Sequence, residues 1–323
     1  MGRANSIGFC CGVCQGEQTS EGYETREMMF GLRTRFHYAQ CAGCGSLWLM
    51  DPPSDFSSYY PEKYYSFMTR NGGLKGRFKE YMRTKRDRTY FGSHSPLGGF
   101  LAERYRDSAI QSVAKLNVGF HARILDVGCG GGKLLQQMAA LGFTNLAGVD
   151  PFVRNNDQNT DNGVKIHKCQ LEDLVGEKYD VVMFHHSLEH VADPAGTLLA
   201  AGRLLAARCK CLVRLPVVAR AWEQYKTNWV QLDPPRHMWV PTERAMRKLA
   251  ESAGFRVDHV EYDSTEFQFW GSELYARDLP LMEAGSRGIG SYFRHGKIAE
   301  FRKTAESLNR ESGGDQAAFF LEC

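Results

Sequence analysis

No run in the 323 residues approaches the roughly 18 consecutive apolar residues a membrane-spanning helix requires. The opening MGRANSIGF lacks the apolar core of a secretory signal. Its Met-Gly start with Ser6 matches a lipidation pattern too short and common to carry weight. Internal repeats and low-complexity tracts are missing, so nothing points to a repeat array. Net charge is small, at +3. A cytoplasmic chain of one large or two smaller domains is therefore expected, and its 43% hydrophobic residues suffice for a core. Thiols stay reduced in that compartment, so ten cysteines argue for metal binding, catalysis or incidental use, not a disulfide framework.

Four of those cysteines are ordered. Cys11/Cys14 and Cys41/Cys44 form two C-x2-C pairs separated by 26 residues. A two-residue spacer lets one tight turn aim both sulfurs at an ion, and four thiolates complete a tetrahedral zinc site. Gly12, Gly16, Gly43 and Gly45 supply turn conformations beside the pairs. The intervening TREMMFGLRTRFHYAQC alternates as strands do. A zinc ribbon over residues 1–50 is expected, with structural Zn2+ supplying folding energy that so small a module cannot bury. Cys10 is then a spare thiol and His37 a less favoured ligand.

Residues 51–105 read as a linker followed by a basic amphipathic helix. The region 63–106 is rich in Lys and Arg, and LKGRFKEYMRTKRDRTYF sets Leu74, Phe78, Met82 and Tyr81 against a cationic face. Such a helix suits peripheral contact with an anionic membrane, contact with nucleic acid, or plain docking on the main domain.

From Arg106 the pattern changes. Ile124–Val127 is a short buried strand, followed by a glycine turn and a helix with Leu134, Leu135, Met138 and Leu141 on its apolar face. The turn, Asp126-x-Gly128-x-Gly130-x-Gly132, is not the dinucleotide fingerprint. A second strand, NLAGVD, ends on Asp150 about twenty residues later, where a carboxylate can take both ribose hydroxyls. Without the Lys-Ser/Thr of a P-loop, the ligand is a nucleoside lacking a triphosphate.

These segments, continued by KIHKCQLEDL, YDVVMFHHSLEHVADP, CKCLVRLPV, the stretch LDPPRHMWVPTERAMRKLAESAGFRVDHVE and GGDQAAFFLEC, resemble the class I S-adenosylmethionine-dependent methyltransferases over residues 106–323. The resemblance implies an α/β, Rossmann-like seven-stranded fold, here with a helical insertion at 271–311 that suits either a mobile lid or a fixed cover. It implies S-adenosylmethionine as cofactor. Asp126 would face the methionine amino group, and Gly128, Gly130 and Gly132 would admit the cofactor closely. Asp150 would hold the ribose. Phe152, Gln170 and Leu171 would border the adenine, and His185 the methionine end. Gln170 stands where the family more often has an acid, and Gly131 where it has a small hydroxyl residue or alanine. Thr242 and Gly254 are expected to cap the helix between them.

The pairing of a ribbon with this domain resembles a bacterial subgroup associated with polysaccharide and deoxysugar biosynthesis, similar in layout to zinc-containing sugar C-methyltransferases. It implies a sugar or glycan acceptor. O-methylation is expected over C-methylation, since no residues assisting enolisation can be placed. A hydroxyl needs a general base, and histidine suits that task near neutral pH. His237 in DPPRH ranks first, then His186 and His190. Glu189 is a further candidate, expected to face away from His190 on a helix opening there. Arg236 reads either as a holder of an acceptor phosphate or carboxylate or as a surface arginine. Tyr225 and Trp229 read as a pocket wall or as core. RNA methylation through the ribbon and basic segment is an alternative acceptor class, as is a small molecule or natural product outside carbohydrate metabolism. The exit of the fourth strand lacks the N-P-P-[YF] motif used for base amines.

Overall fold

The computed structural model describes residues 6–15, 17–61, 74–153, 158–159 and 163–323. The lipidation-like start, Gly16 and the centre of the linker fall outside these residues. Strands are numbered along the chain as β1 Ser6–Cys10, β2 Glu17–Arg26, β3 Arg35–Gln40, β4 Leu47–Leu49, β5 Arg123–Val127, β6 Asn145–Val149, β7 Gln158–Asn159, β8 Lys165–His167, β9 Tyr179–His185, β10 Leu205–Pro216, β11 Trp239–Val240, β12 Arg256–Tyr262 and β13 Gln316–Glu322.

Two compact units organise the chain, one of residues 1–60, 188–198 and 214–319, the other of 61–187, 199–213 and 320–323. Within the second unit the sheet order is β10-β9-β5-β6-β8-β7. The pairs β5–β9, β5–β6 and β6–β8 are parallel, as a Rossmann-like sheet requires. Burial explains the sequence pattern. Ile124, Leu125, Val181, Val182, Met183 and Phe184 are inaccessible, so their strands read as apolar runs instead of alternating. All seven strands expected from the sequence form. The two-residue β7 adds an antiparallel edge beside β8. The helix Lys133–Leu141 starts at the glycine turn and buries Leu135, Met138 and Leu141, three of its four expected apolar positions.

In the first unit β1 to β4 form an antiparallel sheet to which β11 adds a fifth strand, Trp239 pairing with Trp48 and Val240 with Leu47. Trp48 and Trp239 also stack, with ring centroids 5.5 Å apart. The N-terminal sheet is therefore completed by a strand almost 190 residues downstream, which the local reading of a ribbon does not include. Strands β12 and β13 and the first-unit end of β10 follow in order in the same unit. Thr242 caps the helix Glu243–Ser252 as expected, its hydroxyl accepting from the Ala245 amide at 3.0 Å. Gly254 follows with φ +85, the left-handed conformation that glycine provides after a helix end.

The basic helix forms over Leu74–Asp87. Phe78 and Tyr81 stay exposed, so these two rings of the expected apolar face do not dock. Among the described residues no helix is long and apolar enough to cross a membrane. Cys323 is disulfide-bonded, a departure from the reduced state expected for all ten cysteines.

Candidate functional site

The second unit gathers one group of predicted residues. β5 ends at Val127 and the chain turns through Gly128, Gly130 and Gly132, all at positive φ. A Cβ at Gly128 would lie 2.4 Å from Ser187 Cβ, and one at Gly132 would lie 2.6 Å from Ile166 Cδ1. Both positions are closed to side chains on steric and conformational grounds. Ser187 is a support the sequence does not reveal, its hydroxyl donating to Val127 O at 2.6 Å. Asp150 stands at the end of β6. One carboxylate oxygen accepts from the Gly130 amide at 2.9 Å and the other from the Phe152 amide at 2.8 Å. This carboxylate thus fixes the glycine turn from both of its oxygens.

Asp126, the penultimate residue of β5, is 3% exposed. Burial first, and then the charge of Asp150, pushes its carboxyl up to about 8. A cation placed beside this buried acid would favour its ionised form. Phe152 presents an exposed ring, Gln170 is exposed, and Leu171 is buried. Gln170 precedes the 3-10 turn Leu171–Asp173, and its amide donates to the Asp173 carboxylate at 3.2 Å. His185 ends β9, and His186 follows at φ +54, a left-handed conformation uncommon for residues with a Cβ. The β5–β6 and β5–β9 pairings put these residues at the carboxyl ends of parallel strands, where ligands bind in open α/β sheets.

The first unit holds two further groups. Cys11, Cys14, Cys41 and Cys44 converge, their sulfurs all within 4.8 Å of one another. Cys11 and Cys44 are 3.6 Å apart, and Cys14 and Cys41 3.4 Å. Four sulfurs about 2.3 Å from one zinc stand about 3.8 Å apart in a tetrahedron, whereas a disulfide brings two to about 2.05 Å. The donor set fits zinc. Each pair sits in the same turn, with Gln15 donating to Cys11 O and Gly45 to Cys41 O, both at 2.8 Å. Gly12 has Trp48 directly above it, 2.6 Å from where a Cβ would stand. The Thr242 hydroxyl donates to Cys44 O at 2.7 Å, joining the second knuckle to the helix it caps. His37 lies outside the cluster, exposed and bonded to Asp51, so the converging donors are the four cysteines.

The other group is Glu189, His190 and His237, whose donor atoms also lie within 4.8 Å of one another. This corrects the expectation that Glu189 and His190 diverge. Leu188–His190 is a three-residue 3-10 turn, not the start of an α-helix. Burial pulls the His237 imidazole down to about 4, with the charge of His190 next in effect.

Arg236 is neither a surface residue nor an anion holder. It is 1% exposed and donates to Glu27 at 3.0 Å and to Asp233. Glu27 also accepts from the Phe30 and Leu32 amides at 2.9 and 3.0 Å, so one carboxylate orders the β2–β3 connection and neutralises the loop before β11. Glu27 gives no signal in sequence because its partner lies about 210 residues away. Arg236→Met is expected to lower stability by about 3–5 kcal/mol, since it leaves two buried carboxylates without their cation. The denaturant midpoint measures this. Trp229 is buried and donates to Asp315 at 2.9 Å, which makes it core, whereas Tyr225 is half-buried against the same cluster and donates to Glu273.

A family profile described as "Methyltransferase domain" matches residues 83–260. The chain is 38% identical over 178 residues to the ubiquinone biosynthesis O-methyltransferase of Cereibacter sphaeroides, a match covering 49% of this chain and 70% of the relative. It is 33% identical over 152 residues to the enzyme of the same name from a Caulobacter species, covering 42% and 59%. Among solved structures, a cyclopropane synthase from Mycobacterium tuberculosis aligns with 76% of this chain and 94% of its own, with TM-score 0.45 and 16% identity.

Proposed function

The chain is an S-adenosylmethionine-dependent enzyme of the methyltransferase-domain family, and from that premise we propose that it methylates a hydroxyl of a small-molecule acceptor. The observation that carries the cofactor end is the Asp150 carboxylate, bonded to the Gly130 amide and poised at the end of β6. Asp150 takes the ribose hydroxyls, Asp126 receives the methionine ammonium, and Phe152, Gln170 and Leu171 border the adenine, with His185 and His186 toward the methionine end. When bound, S-adenosylmethionine supplies an electrophilic methyl carbon on a sulfonium. The protein's task is then to align the acceptor oxygen and remove its proton. We assign the proton to the Glu189–His190–His237 group, with His237 first. Burial keeps its imidazole neutral near pH 7, at the cost of a weaker affinity for the proton than an ordinary histidine has. Support for placing this group at the acceptor end is chain connectivity: Glu189 and His190 follow His185 and His186 within five residues.

The names of the relatives favour O-methylation and say nothing of glycans. A sugar or glycan hydroxyl, the finer reading, rests on the resemblance of the ribbon-bearing layout alone. So does an organisation into ribbon at 1–50, linker and basic helix at 51–105, and methyltransferase domain from 106. Methyl transfer from labelled S-adenosylmethionine into a lysate of the source organism, with and without nuclease, tests the acceptor. Label surviving nuclease in a small-molecule or lipid extract supports the proposal, and partition with nucleotide sugars or lipid-linked glycans supports its finer form. Label lost to nuclease replaces it with RNA methylation.

A pH dependence follows from Asp126. Its carboxyl is mostly protonated below pH 8 in the free protein, whereas an ammonium beside it favours the ionised form. Binding should then release a proton near pH 7, and affinity should rise with pH by up to about tenfold per unit until it levels off near pH 8. Calorimetry in buffers of different ionisation enthalpy reads the proton count, and Asp126→Asn should flatten the profile.

The basic helix offers one further test of a partner. Phe78 and Tyr81 are exposed beside Lys79, which suits an anionic bilayer. Co-sedimentation with anionic vesicles, weakened by Phe78→Ser, is the expected result. Equal sedimentation of the two proteins would remove membrane contact from the proposal.

A further inference from the structure

The sheet that carries the cysteines also holds the stretch 227–238, which includes His237. From β2 the Thr25 hydroxyl donates to Thr227 O at 3.0 Å. Just after β2, Glu27 receives Arg236. From β4 the Leu49 amide donates to Met238 O at 2.9 Å, and the Met238 amide donates in turn to Glu189 O at 2.8 Å. The backbone of residue 238 therefore links this sheet to the turn Leu188–His190. Trp239 adds its indole N–H to Leu188 O at 2.9 Å.

The contact from β3 is the most specific. Tyr38 is fully buried in a cluster with Phe36, Trp222 and Trp229, where a phenylalanine would bury as much ring. Its hydroxyl donates to His237 O at 2.5 Å and lies 3.4 Å from Leu232 O. Burial pushes the phenol well above its usual value, so it remains a donor. The Tyr38 oxygen thus stands beside the carbonyls at the two ends of the segment 232–237. The same segment fixes the imidazole, since His237 Nδ1 is 2.8 Å from Gln231 O. A carbonyl oxygen only accepts, so Nδ1 carries the proton and Nε2 presents the lone pair. The bond from Tyr38 and the bond from the ring close the same short loop, and release of the first loosens the second.

We propose that Tyr38 is a positioning residue for His237, so that the sheet carrying the four cysteines sets the tautomer and direction of this imidazole. The hydroxyl acts across 199 residues of sequence, and no local pattern around Tyr38 announces it. A buried hydroxyl in an otherwise apolar cluster needs a partner, and here the partner is the main chain of the histidine itself.

This deepens the proposed function and rests on it in one respect only, that His237 takes the proton of the acceptor hydroxyl. A base must present its lone pair to that hydroxyl, and a ring free to exchange tautomers presents an N–H for part of the time.

The tautomer can be read without turnover. In protein labelled with nitrogen-15 at histidine, the ring nitrogens of His237 near pH 7 should show one tautomer, with the proton on Nδ1. Tyr38→Phe removes one oxygen and keeps the ring. It should mix in the Nε2–H form, while zinc content and S-adenosylmethionine affinity match wild type. Phe36→Leu trims the same cluster without removing a hydrogen bond, and should leave the tautomer single. A single Nδ1–H tautomer in Tyr38→Phe would overturn the proposal. Equal mixing in Phe36→Leu would also overturn it, by assigning the effect to core packing. In the wild type a slowly exchanging Tyr38 hydroxyl proton should be seen close to His237, and its absence would overturn the proposal even if the variant did not fold. Methyl transfer into a small-molecule extract of the source organism should fall at least about tenfold in Tyr38→Phe. Mixed tautomers with an unchanged transfer rate leave Tyr38 as the positioning residue and refute only His237 as the base.

Discussion

Cys41→Ser is expected to cost the protein one equivalent of zinc and the order of its N-terminal sheet. Four thiolates with nearest separations of 3.4 and 3.6 Å match a tetrahedral site, and removing one leaves three anionic or buried sulfurs without their ion. Apparent zinc binding in small cysteine-ligated domains is worth about 10–16 kcal/mol, most of which appears as folding free energy. The damage should not stay local. Cys44 O accepts from Thr242, β4 pairs with β11, and Trp48 stacks on Trp239. Loss of the knuckles therefore loosens the stretch 239–242 and, a few residues before it, the loop that carries His237. Hydrogen exchange should show fast amides in β3, β4 and β11 together, and a chelator should reproduce the effect in the wild type. A zinc-free wild-type protein with the same exchange pattern as the metal-bound one would remove zinc from the account of this fold.

Asp150→Ala should abolish measurable cofactor binding while leaving the sheet folded. Two hydrogen bonds from ribose hydroxyls to a charged acceptor are worth about 1.5–3 kcal/mol each, so affinity should fall by roughly 10²–10⁴-fold. The substitution also releases the Gly130 and Phe152 amides, which the carboxylate holds in the unliganded protein. Asp150→Asn separates the two effects. An amide oxygen can still accept from one of those amides, but it carries no charge for the ribose. Calorimetry should rank wild type far above Asn, and Asn above Ala. Unchanged affinity in both variants would show that Asp150 serves the turn and not the ligand.

Much of the fold was legible because its signals are local. The strand Ile124–Val127, the glycine turn and Asp150 lie within one βαβ unit, where alternating strand and helix periods suffice to place them. The Thr242 cap and Gly254 obey rules that span three or four residues. The two C-x2-C pairs are legible for a chemical reason, since few other uses require that spacing twice.

What failed in the sequence reading depended on partners far along the chain. Arg236 read either as an anion holder or as a surface arginine. Only the folded chain brings Glu27 to it. Trp229 and Tyr225 read equally as pocket wall or core, and for Trp229 burial and its bond to Asp315 decide for core. Glu189 and His190 were expected to diverge, and in the folded chain their donor atoms lie within 4.8 Å of one another and of one on His237.

The sequence by itself determined the parallel sheet, the glycine turn with its acidic neighbour and the convergence of the four cysteines, because hydrophobic period, glycine conformation and cysteine spacing are properties of short segments. Tertiary structure alone decided that β11 completes the N-terminal sheet, that Arg236 is an internal counter-ion and that two histidines and a glutamate face one another. Those outcomes depend on which distant residues share a buried volume, where an unpaired charge is costly and polar atoms must find partners whatever their separation along the chain.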